Sequence, residues 1–307
     1  MAEGGYAWWY VDALSDDGAH ALTLIAFVGS VFSPYYAWRR RGGGAADPRN
    51  HCAVNLALYR PDRRGGKRWA MTERGRAALE RDADHLRIGP SALAWRDDGL
   101  HVTIDETTVP WPSRLRGRLH VRPLAVMYDT YTLDARGRHR WHPIAPLARI
   151  EVEFSAPALR WQGEAYLDSN FGDAPLEADF ARWDWSRAHL PGGRVAVFYD
   201  VTRRDGSPHG LALQFDAAGR VHPVEAPPHA PLPPTGWRVE RGTRSDAGAP
   251  ARVLKTLEDT PFYARSLVRS QLHGESATAV HESLSLGRFA SPIVQAMLPF
   301  RMPRRAR

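Results

Sequence analysis

Short runs of β-forming residues, bounded by turn residues, recur along this chain and constrain its fold more than any other feature. The predicted strands include Leu22–Phe32, Ala53–Tyr59, Leu100–Ile104, Ala148–Phe154 and Val195–Val201. Hairpin turns are predicted at Asp97-Asp98-Gly99, Arg136-Gly137, Asp205-Gly206 and Ala218-Gly219. Many short strands joined by such turns are typical of β-sandwiches and β-barrels.

Helical patterns are scarce by comparison. The best amphipathic candidate is Thr72–Asp84, and residues 292–298 are predicted to form a second, short helix. We therefore expect an all-β protein of antiparallel sheets with few short helices.

A weak internal repeat divides the strands into two sets. Trp8-Trp9-Tyr10 precedes a turn and the apolar strand Leu22–Phe27, and Trp183-Asp184-Trp185 precedes a turn and Val195–Tyr199 about 175 residues later. Two copies of one β unit explain this pattern and the length of 307 residues. Because Gly and Pro cluster between Phe171 and Arg182, we predict an N-terminal domain at 1–175 and a C-terminal domain at 176–307.

Composition bounds the remaining possibilities. Hydrophobic residues make up 43% of the chain, enough for a core, and the single cysteine, Cys52, excludes an intrachain disulfide and is expected to be a small buried side chain. No apolar run approaches the roughly 18 residues of a spanning helix, and no signal peptide is apparent at the start. We expect a soluble chain in the cytoplasm.

The formal charge of +7 comes from arginine, since Lys67 and Lys255 are the only lysines. A positive balance favours nucleic acid or an anionic membrane surface. Because no nucleic-acid motif accompanies the charge, we expect a membrane surface and no nucleic acid. The alternative is arginine spread over an ordinary protein surface.

Two segments about 25 residues apart carry the candidate chemistry. Since side chains alternate along a strand, Tyr166-Leu167-Asp168-Ser169-Asn170 presents Tyr166, Asp168 and Asn170 on one face, and His139-Arg140-Trp141 presents its two rings. If these strands are neighbours and face inward, a carboxyl group stands beside a histidine among aromatic rings. Alternatively, Asp168 lies on a solvent face with Ala165 and Leu167 packed inward, and His139 is a turn residue.

These segments also carry a family resemblance. Further runs that take part in it are Gly5–Asp12, Ile25–Tyr36, Asn50–Asn55, His139–Pro146, Glu258–Ser266 and Met297–Pro303. With them, the chain resembles the carotenoid 1,2-hydratase (hydroxyneurosporene synthase) family. The resemblance implies two tandem lipocalin-like antiparallel β-barrels, and it implies catalytic residues at the positions of His139, Trp141, Tyr166 and Asp168.

The implied activity is cofactor-free addition of water to the terminal 1,2 double bond of an acyclic carotenoid such as neurosporene or lycopene. Burial raises the pKa of an aspartic acid, so a buried Asp168 suits the role of general acid. Trp141 and Tyr166 are expected to contact the substrate and stabilise a tertiary carbocation, and His139 is expected to bond Asp168, position water or accept a proton.

Other classes are less well supported. The chain has 13 histidines but no HExxH or CxxC, so no metal site is expected, and it has no GxSxG of a serine hydrolase. A lipocalin-like carrier that binds a polyene unchanged is the alternative function. Both functions need an apolar cavity lined by aromatic residues, but only the enzyme needs a protonated carboxyl group. The sequence leaves the oligomeric state open.

The C-terminal segment from Ile293 to Arg307 combines apolar side chains with four arginines. Such a segment suits an anionic membrane surface, where each arginine contributes about 1 kcal/mol. We predict peripheral membrane association through this segment. A basic tail with no role is the alternative.

Overall fold

The computed structural model describes residues 1–43, 45–60 and 66–305, and most of these lie in β-strands. In chain order the strands are β1 (Tyr6–Ser15), β2 (Ala21–Val28), β3 (Cys52–Tyr59), β4 (Arg68–Arg74), β5 (Leu79–Arg81), β6 (His85–Ile88), β7 (Ser91–Arg96), β8 (Gly99–Thr107), β9 (Arg114–Pro123), β10 (Tyr131–Thr132), β11 (His139–Ala156), β12 (Ala158–Gly172), β13 (Phe180–Leu190), β14 (Arg194–Arg203), β15 (Pro208–Asp216), β16 (Val221–Pro223), β17 (His229–Leu232), β18 (Arg241–Arg244), β19 (Arg252–Asp259), β20 (Tyr263–Leu272), β21 (Glu275–Ser285) and β22 (Arg304–Arg305).

Helices are few and short, as predicted. They are α1 (Pro34–Arg41), α2 (Leu176–Asp179), α3 (Leu286–Phe289) and α4 (Pro292–Met297), with 3₁₀ turns at Pro48–Asn50, Arg76–Ala78 and Leu298–Phe300. The chain divides into two compact units. The first contains Met1–Thr132, Gly137–Pro175 and Ala296–Arg307, and the second contains Leu133–Arg136 and Leu176–Gln295.

The first unit is built on one large sheet with the strand order β22-β4-β3-β2-β1-β12-β11-β9-β8-β7-β6-β5, and β10 pairs with β11. β1 to β4 and β5 to β12 form two antiparallel series, which join where β12 pairs with β1. The sheet curls on itself, because Val11 and Leu24 of one series share a core cluster with Leu119 and Val152 of the other. The pairing path nevertheless has two ends, at β22 and at β5.

Local sequence explains the strands that matter most here. β9 alternates exposed arginines with buried Leu115, Leu119 and Val121, which is the period-2 pattern of a sheet with one face on a core. β11 shifts register between His142 and Ala145 and again before Ala148. Pro143 and Pro146 fall at these shifts, because proline has no N–H to donate to the ladder.

The second unit has a sheet in the order β16-β15-β14-β13-β21-β20-β19 and a separate pair, β17 with β18. Its two series, β13 to β16 and β19 to β21, again join where the last strand pairs with the first. The tryptophan-bearing hairpins predicted from the repeat are confirmed as β1–β2 and β13–β14. The two series of the first unit join in the same way as those of the second, and the first unit has the additional strands β5 to β8.

The helix predicted at Thr72–Asp84 is wrong. That segment forms the end of β4, a 3₁₀ turn at Arg76–Ala78 and β5. Pairing with β3 places the side chains of Glu73 and Arg74 in the interior, where Glu73 bonds His51 and Arg74 pairs with Glu106. This tertiary pairing overrides the local helical pattern. The second predicted helix is confirmed as α4 and the 3₁₀ turn that follows it.

Residues 296–305, near the C-terminal end, pack on the first unit. β22 pairs in parallel with β4, Met302 is buried, and the Arg304 guanidinium bonds the Glu73 carboxylate. The guanidinium of Arg301 lies 4.4 Å from the ring centre of Trp69. The described part of this segment is therefore docked rather than a free tail.

Cys52 is fully buried, and burial raises the pKa of its thiol to about 12, as suits a packing residue.

Across the described residues, no helix has the length and apolar character needed to cross a membrane.

Candidate active site

Three adjacent strands, β11, β12 and β1, bring the predicted site residues to one face of the first sheet. Gly172 of β12 pairs with His139 of β11 on one side and with Tyr6 of β1 on the other. Two residues earlier in β12, Asn170 pairs with Trp141 of β11. Farther along β12, Asp168 lies opposite Tyr10 of β1. Residues directly opposite each other in an antiparallel pair point to the same face. The predicted pairing of the two segments is thus present in the structure.

Asp168 is the centre of a hydrogen-bonded cluster with Trp141 and Tyr166. Its Oδ2 accepts a hydrogen bond from Nε1 of Trp141 at 2.9 Å and another from the Tyr166 hydroxyl at 2.8 Å. Asp168 is only 3% exposed, and both rings are fully buried. The solvent-face alternative is therefore wrong for Asp168, although Ala165 and Leu167 do pack into the core on the opposite face.

His139 is also fully buried, but its described hydrogen bond goes to a different partner. Its Nδ1 lies 3.0 Å from the Tyr6 hydroxyl, and the two rings stack with centres 5.8 Å apart. His139 lies opposite Gly172, four residues from Asp168, which corresponds to about 13 Å along the strand. The register thus groups His139 with Tyr6, at one end of the row that contains Asp168.

Aromatic rings surround these polar groups. Tyr10 packs edge-to-face on Tyr166, with ring centres 6.1 Å apart. Tyr131 packs on Trp141 at 5.3 Å, and Tyr6 stacks on Trp8 at 5.0 Å. Such faces carry negative charge density that attracts a cation.

Sequence reasoning missed a second carboxyl group on the same face. Asp12 of β1 is 1% exposed, and its Oδ2 accepts a hydrogen bond from the Tyr10 hydroxyl at 2.9 Å. It lies opposite Tyr166 in the register. The signal was available, because Tyr10-Val11-Asp12 has the same Tyr-x-Asp spacing as Tyr166-Leu167-Asp168.

The two described donors to Asp168, the Trp141 indole and the Tyr166 hydroxyl, are electrically neutral. An indole N–H and a phenol O–H both stabilise the carboxylate that forms when Asp168 releases a proton. They do so without supplying the full positive charge of an arginine or lysine. The cluster can therefore hold a carboxylic acid and also stabilise its anion after proton transfer.

One group within the described ranges has the donor atoms of a metal site, although the sequence predicted none. Single donor atoms of Asp98, His101 and His120 all lie within 4.8 Å of one another. These residues are on β8, β9 and the turn before β8, away from the strands that carry Asp168. Asp98 already pairs with both histidines, and the bond from His101 lowers the pKa of its carboxyl. A neighbouring cavity of about 740 Å³ is lined by charged side chains such as Arg118 and does not suit an apolar polyene.

The fold places this chain among lipocalin-like β proteins. It is similar to the solved structure of an AttH protein from Nitrosomonas europaea, with a TM-score of 0.61 and 15% sequence identity, over 91% of this chain and 92% of the other. Such a low identity supports the fold alone.

The family is identified by sequence. The model of the family described as carotenoid hydratase CrtC matches residues 24–307. The acyclic carotenoid 1,2-hydratase of Thiocapsa roseopersicina is 60% identical, over 99% of this chain and 74% of the relative. The protein of the same name from Rubrivivax gelatinosus is 54% identical, again over 99% and 74%. This chain therefore belongs to the carotenoid hydratase family.

Proposed function

We propose that this protein is a hydro-lyase that adds water across the terminal 1,2 double bond of acyclic carotenoids such as neurosporene and lycopene, giving 1-hydroxy carotenoids. Membership of the carotenoid hydratase family supports the reaction class. The observation that carries the mechanism is the buried Asp168 carboxyl, bonded by Trp141 and Tyr166 within an aromatic shell.

The first step is protonation of the alkene by Asp168. The carboxyl proton moves to C2, the π electrons form the new C–H bond, and C1 becomes a tertiary carbocation. An isolated double bond is a weak base, so the donor must be a carboxylic acid rather than a neutral imidazole. The hydrogen bonds from Trp141 and Tyr166 stabilise the carboxylate that remains.

The aromatic shell stabilises the cation. Trp141 and Tyr166 contact the chain end of the substrate, and each ring face contributes about 0.5–2 kcal/mol to a desolvated cation. Tyr10 and Tyr131 pack against these two rings and fix their orientation. Water then attacks C1, and loss of one proton from the resulting oxonium ion gives the tertiary alcohol.

We propose His139 as a further catalytic residue, at the Gly172 end of the site. Its bond to the Tyr6 hydroxyl and its stacking on that ring hold its imidazole in place there. Protonation, water addition and proton removal need no redox or electrophilic group, so we propose that the reaction is independent of any cofactor.

We further propose two tandem lipocalin-like barrels with a domain boundary at 175/176, apart from the C-terminal residues that pack on the first unit. The matching strand connections of β1 to β4 with β12, and of β13 to β16 with β21, support this duplication. The first unit then carries the catalytic row.

We also propose that the protein works at the cytoplasmic surface of a membrane, since its substrate is nearly insoluble in water. Ile293 and Phe300 are 75% and 80% exposed on α4 and the 3₁₀ turn that follows it. Because Met302 and β22 are docked, truncating the segment would disturb the first unit. Ile293→Glu with Phe300→Glu should instead reduce co-sedimentation with anionic vesicles at low salt. Binding equal to that of the unmodified chain would exclude this surface as the contact.

The activity is tested by incubating the purified protein with lycopene in heavy-oxygen water. Label in the hydroxyl group at C1 is the expected result. Retention of lycopene without labelled product would favour the alternative of a polyene carrier. The Asp168→Asn variant serves as the control, because it should still bind the polyene but form no labelled alcohol.

A further inference from the structure

The candidate site contains two copies of one small arrangement. In β1 the Tyr10 hydroxyl donates to Asp12, at 2.9 Å, and in β12 the Tyr166 hydroxyl donates to Asp168, at 2.8 Å. The strands are antiparallel, so Tyr10 lies opposite Asp168 and Asp12 lies opposite Tyr166. Each tyrosine thus bonds the aspartate of its own strand and faces that of the other.

The two carboxyl groups are close and equally shielded. Diagonal neighbours of this kind have Cα atoms about 7–8 Å apart. Asp12 and Asp168 are 1% and 3% exposed, on the same face of the sheet. Hydrolases that activate a water between an acid and a base space their two carboxyl groups so that the water fits between them.

A third residue extends this row onto β2. Thr23 lies opposite Asp12 and is 3% exposed. Among the residues that the structure describes, its hydroxyl oxygen has no hydrogen-bond partner. Buried hydroxyls are normally satisfied by protein or by ordered water. Its place beside Asp12 makes it a binding point for the water that reacts.

We infer that Asp12 is a second catalytic residue, the general base that takes the proton from the attacking water, and that the Thr23 hydroxyl holds this water. This assignment rests on the proposed function and deepens it, because it divides the reaction between two carboxyl groups instead of returning every proton to Asp168.

The step balances in atoms and charge. Asp168 gives its proton to C2 and becomes a carboxylate, and the water oxygen forms a bond to the cationic C1. The proton released from that oxygen passes to the carboxylate of Asp12. One proton then moves from Asp12 to Asp168 through water, which restores the starting pair with H on C2 and OH on C1.

Geometry favours Asp12 over the two other bases considered. The Oδ2 of Asp168 is already held by two donors, and Asp168 faces the carbon that it has protonated. His139 is grouped with Tyr6 at the far end of the row. Asp12 lies one strand away from Asp168, between the aromatic shell and Thr23.

Measuring hydration and deuterium exchange in D₂O separates the general acid, Asp168, from the general base, Asp12. Asp168 delivers deuterium to C2, and a cation that is not captured by water loses a proton and returns as labelled alkene. Asp12→Asn should lower hydration about 10²- to 10⁴-fold while deuterium still enters the recovered substrate. Asp168→Asn should lower both hydration and deuterium exchange about 10²- to 10⁴-fold. Glu164→Gln, an exposed carboxylate on β12, should change neither.

Unchanged hydration in a folded Asp12→Asn variant would overturn the assignment, as would loss of exchange together with hydration. If Asp168→Asn keeps both reactions, the proposed acid is wrong, and that result is distinct from failure of Asp12. Thr23→Val keeps the shape and removes the hydroxyl, and it should lower hydration about tenfold with exchange retained. Should Asp12→Asn fail to fold, full hydration by Thr23→Val would itself overturn the proposal.

Discussion

The two units each bury an aspartate on the strand pair where their two strand series join, but they surround it differently. In the first unit Asp168 is bonded by Trp141 and Tyr166. In the second, Asp184 of β13 accepts from Nε of Arg182 at 2.7 Å and from the Ser283 hydroxyl, with Nε2 of His281 3.9 Å away.

This contrast indicates which partners suit a buried carboxyl group for proton transfer. A guanidinium partner forms a salt bridge with the Asp184 carboxylate, and the pair fixes structure. The indole and phenol that bond Asp168 stabilise the carboxylate formed by proton transfer without pairing it with a full positive charge. Residue type and burial alone do not separate the two cases, since both are aspartates and both are buried.

The largest expected effect is on the chemistry of the first unit. Asp168→Asn keeps the shape but removes the acidic proton, so hydration of lycopene should fall about 10²- to 10⁴-fold. Asp184→Asn is the matched control and should leave the turnover of folded protein near normal. Steady-state rates on lycopene, with folding checked by circular dichroism, measure both. Near-normal turnover in Asp168→Asn would erase the contrast between the units.

The second expected effect is on the stability of the second unit. Asp184→Ala leaves Arg182 without its buried partner, and it should cost about 2–3 kcal/mol of unfolding free energy. The lower end is expected because the Arg182 side chain is 29% exposed and retains water. Urea unfolding provides the measurement. A variant as stable as the unmodified chain would show that the ion pair is not structural.

Substitutions of Tyr166 test whether the aromatic shell stabilises the carbocation. If its ring face stabilises the cation, Tyr166→Phe should hydrate about 2- to 30-fold faster than Tyr166→Leu, because only Phe keeps the π system. Both variants lack the hydroxyl that bonds Asp168. Rates of the two variants on one substrate give the ratio, and equal losses would point to the hydroxyl alone.

The smallest expected effect is a pH dependence of the second unit. Burial lowers the pKa of His281 below its usual 6.5, so the unfolded chain binds a proton more readily than the folded one. Stability should be constant above about pH 6.5 and should fall by at most about 1.4 kcal/mol per unit below it. Urea midpoints at pH 7.5 and 5.5 measure this. A His281→Gln variant with the same slope would assign the effect to other groups.

Much of this arrangement follows from local sequence. Period-2 alternation and the family motifs placed His139, Trp141, Tyr166 and Asp168 on two strands, and the structure pairs those strands. The pattern did not reveal the register that groups His139 with Tyr6, because register depends on the long-range partners of each strand.

The failures have physical causes of the same kind. Thr72–Asp84 has a helical pattern, and only the pairing of its first residues with β3 and of Leu79–Arg81 with β6 fixes it as two strands around a turn. The sequence did not single out Asp12, and only its position opposite Tyr166 shows its place in the site.

The docking of β22 has a consequence for how the chain matures. Glu73 has a fully buried side chain, and its guanidinium partner, Arg304, lies more than two hundred residues later in the sequence. During synthesis, β4 therefore emerges long before the strand that covers it, and domains generally fold from the N-terminus. Until residues 304–305 leave the ribosome, the nascent first unit exposes a sheet edge, which is a point of vulnerability to association with other chains.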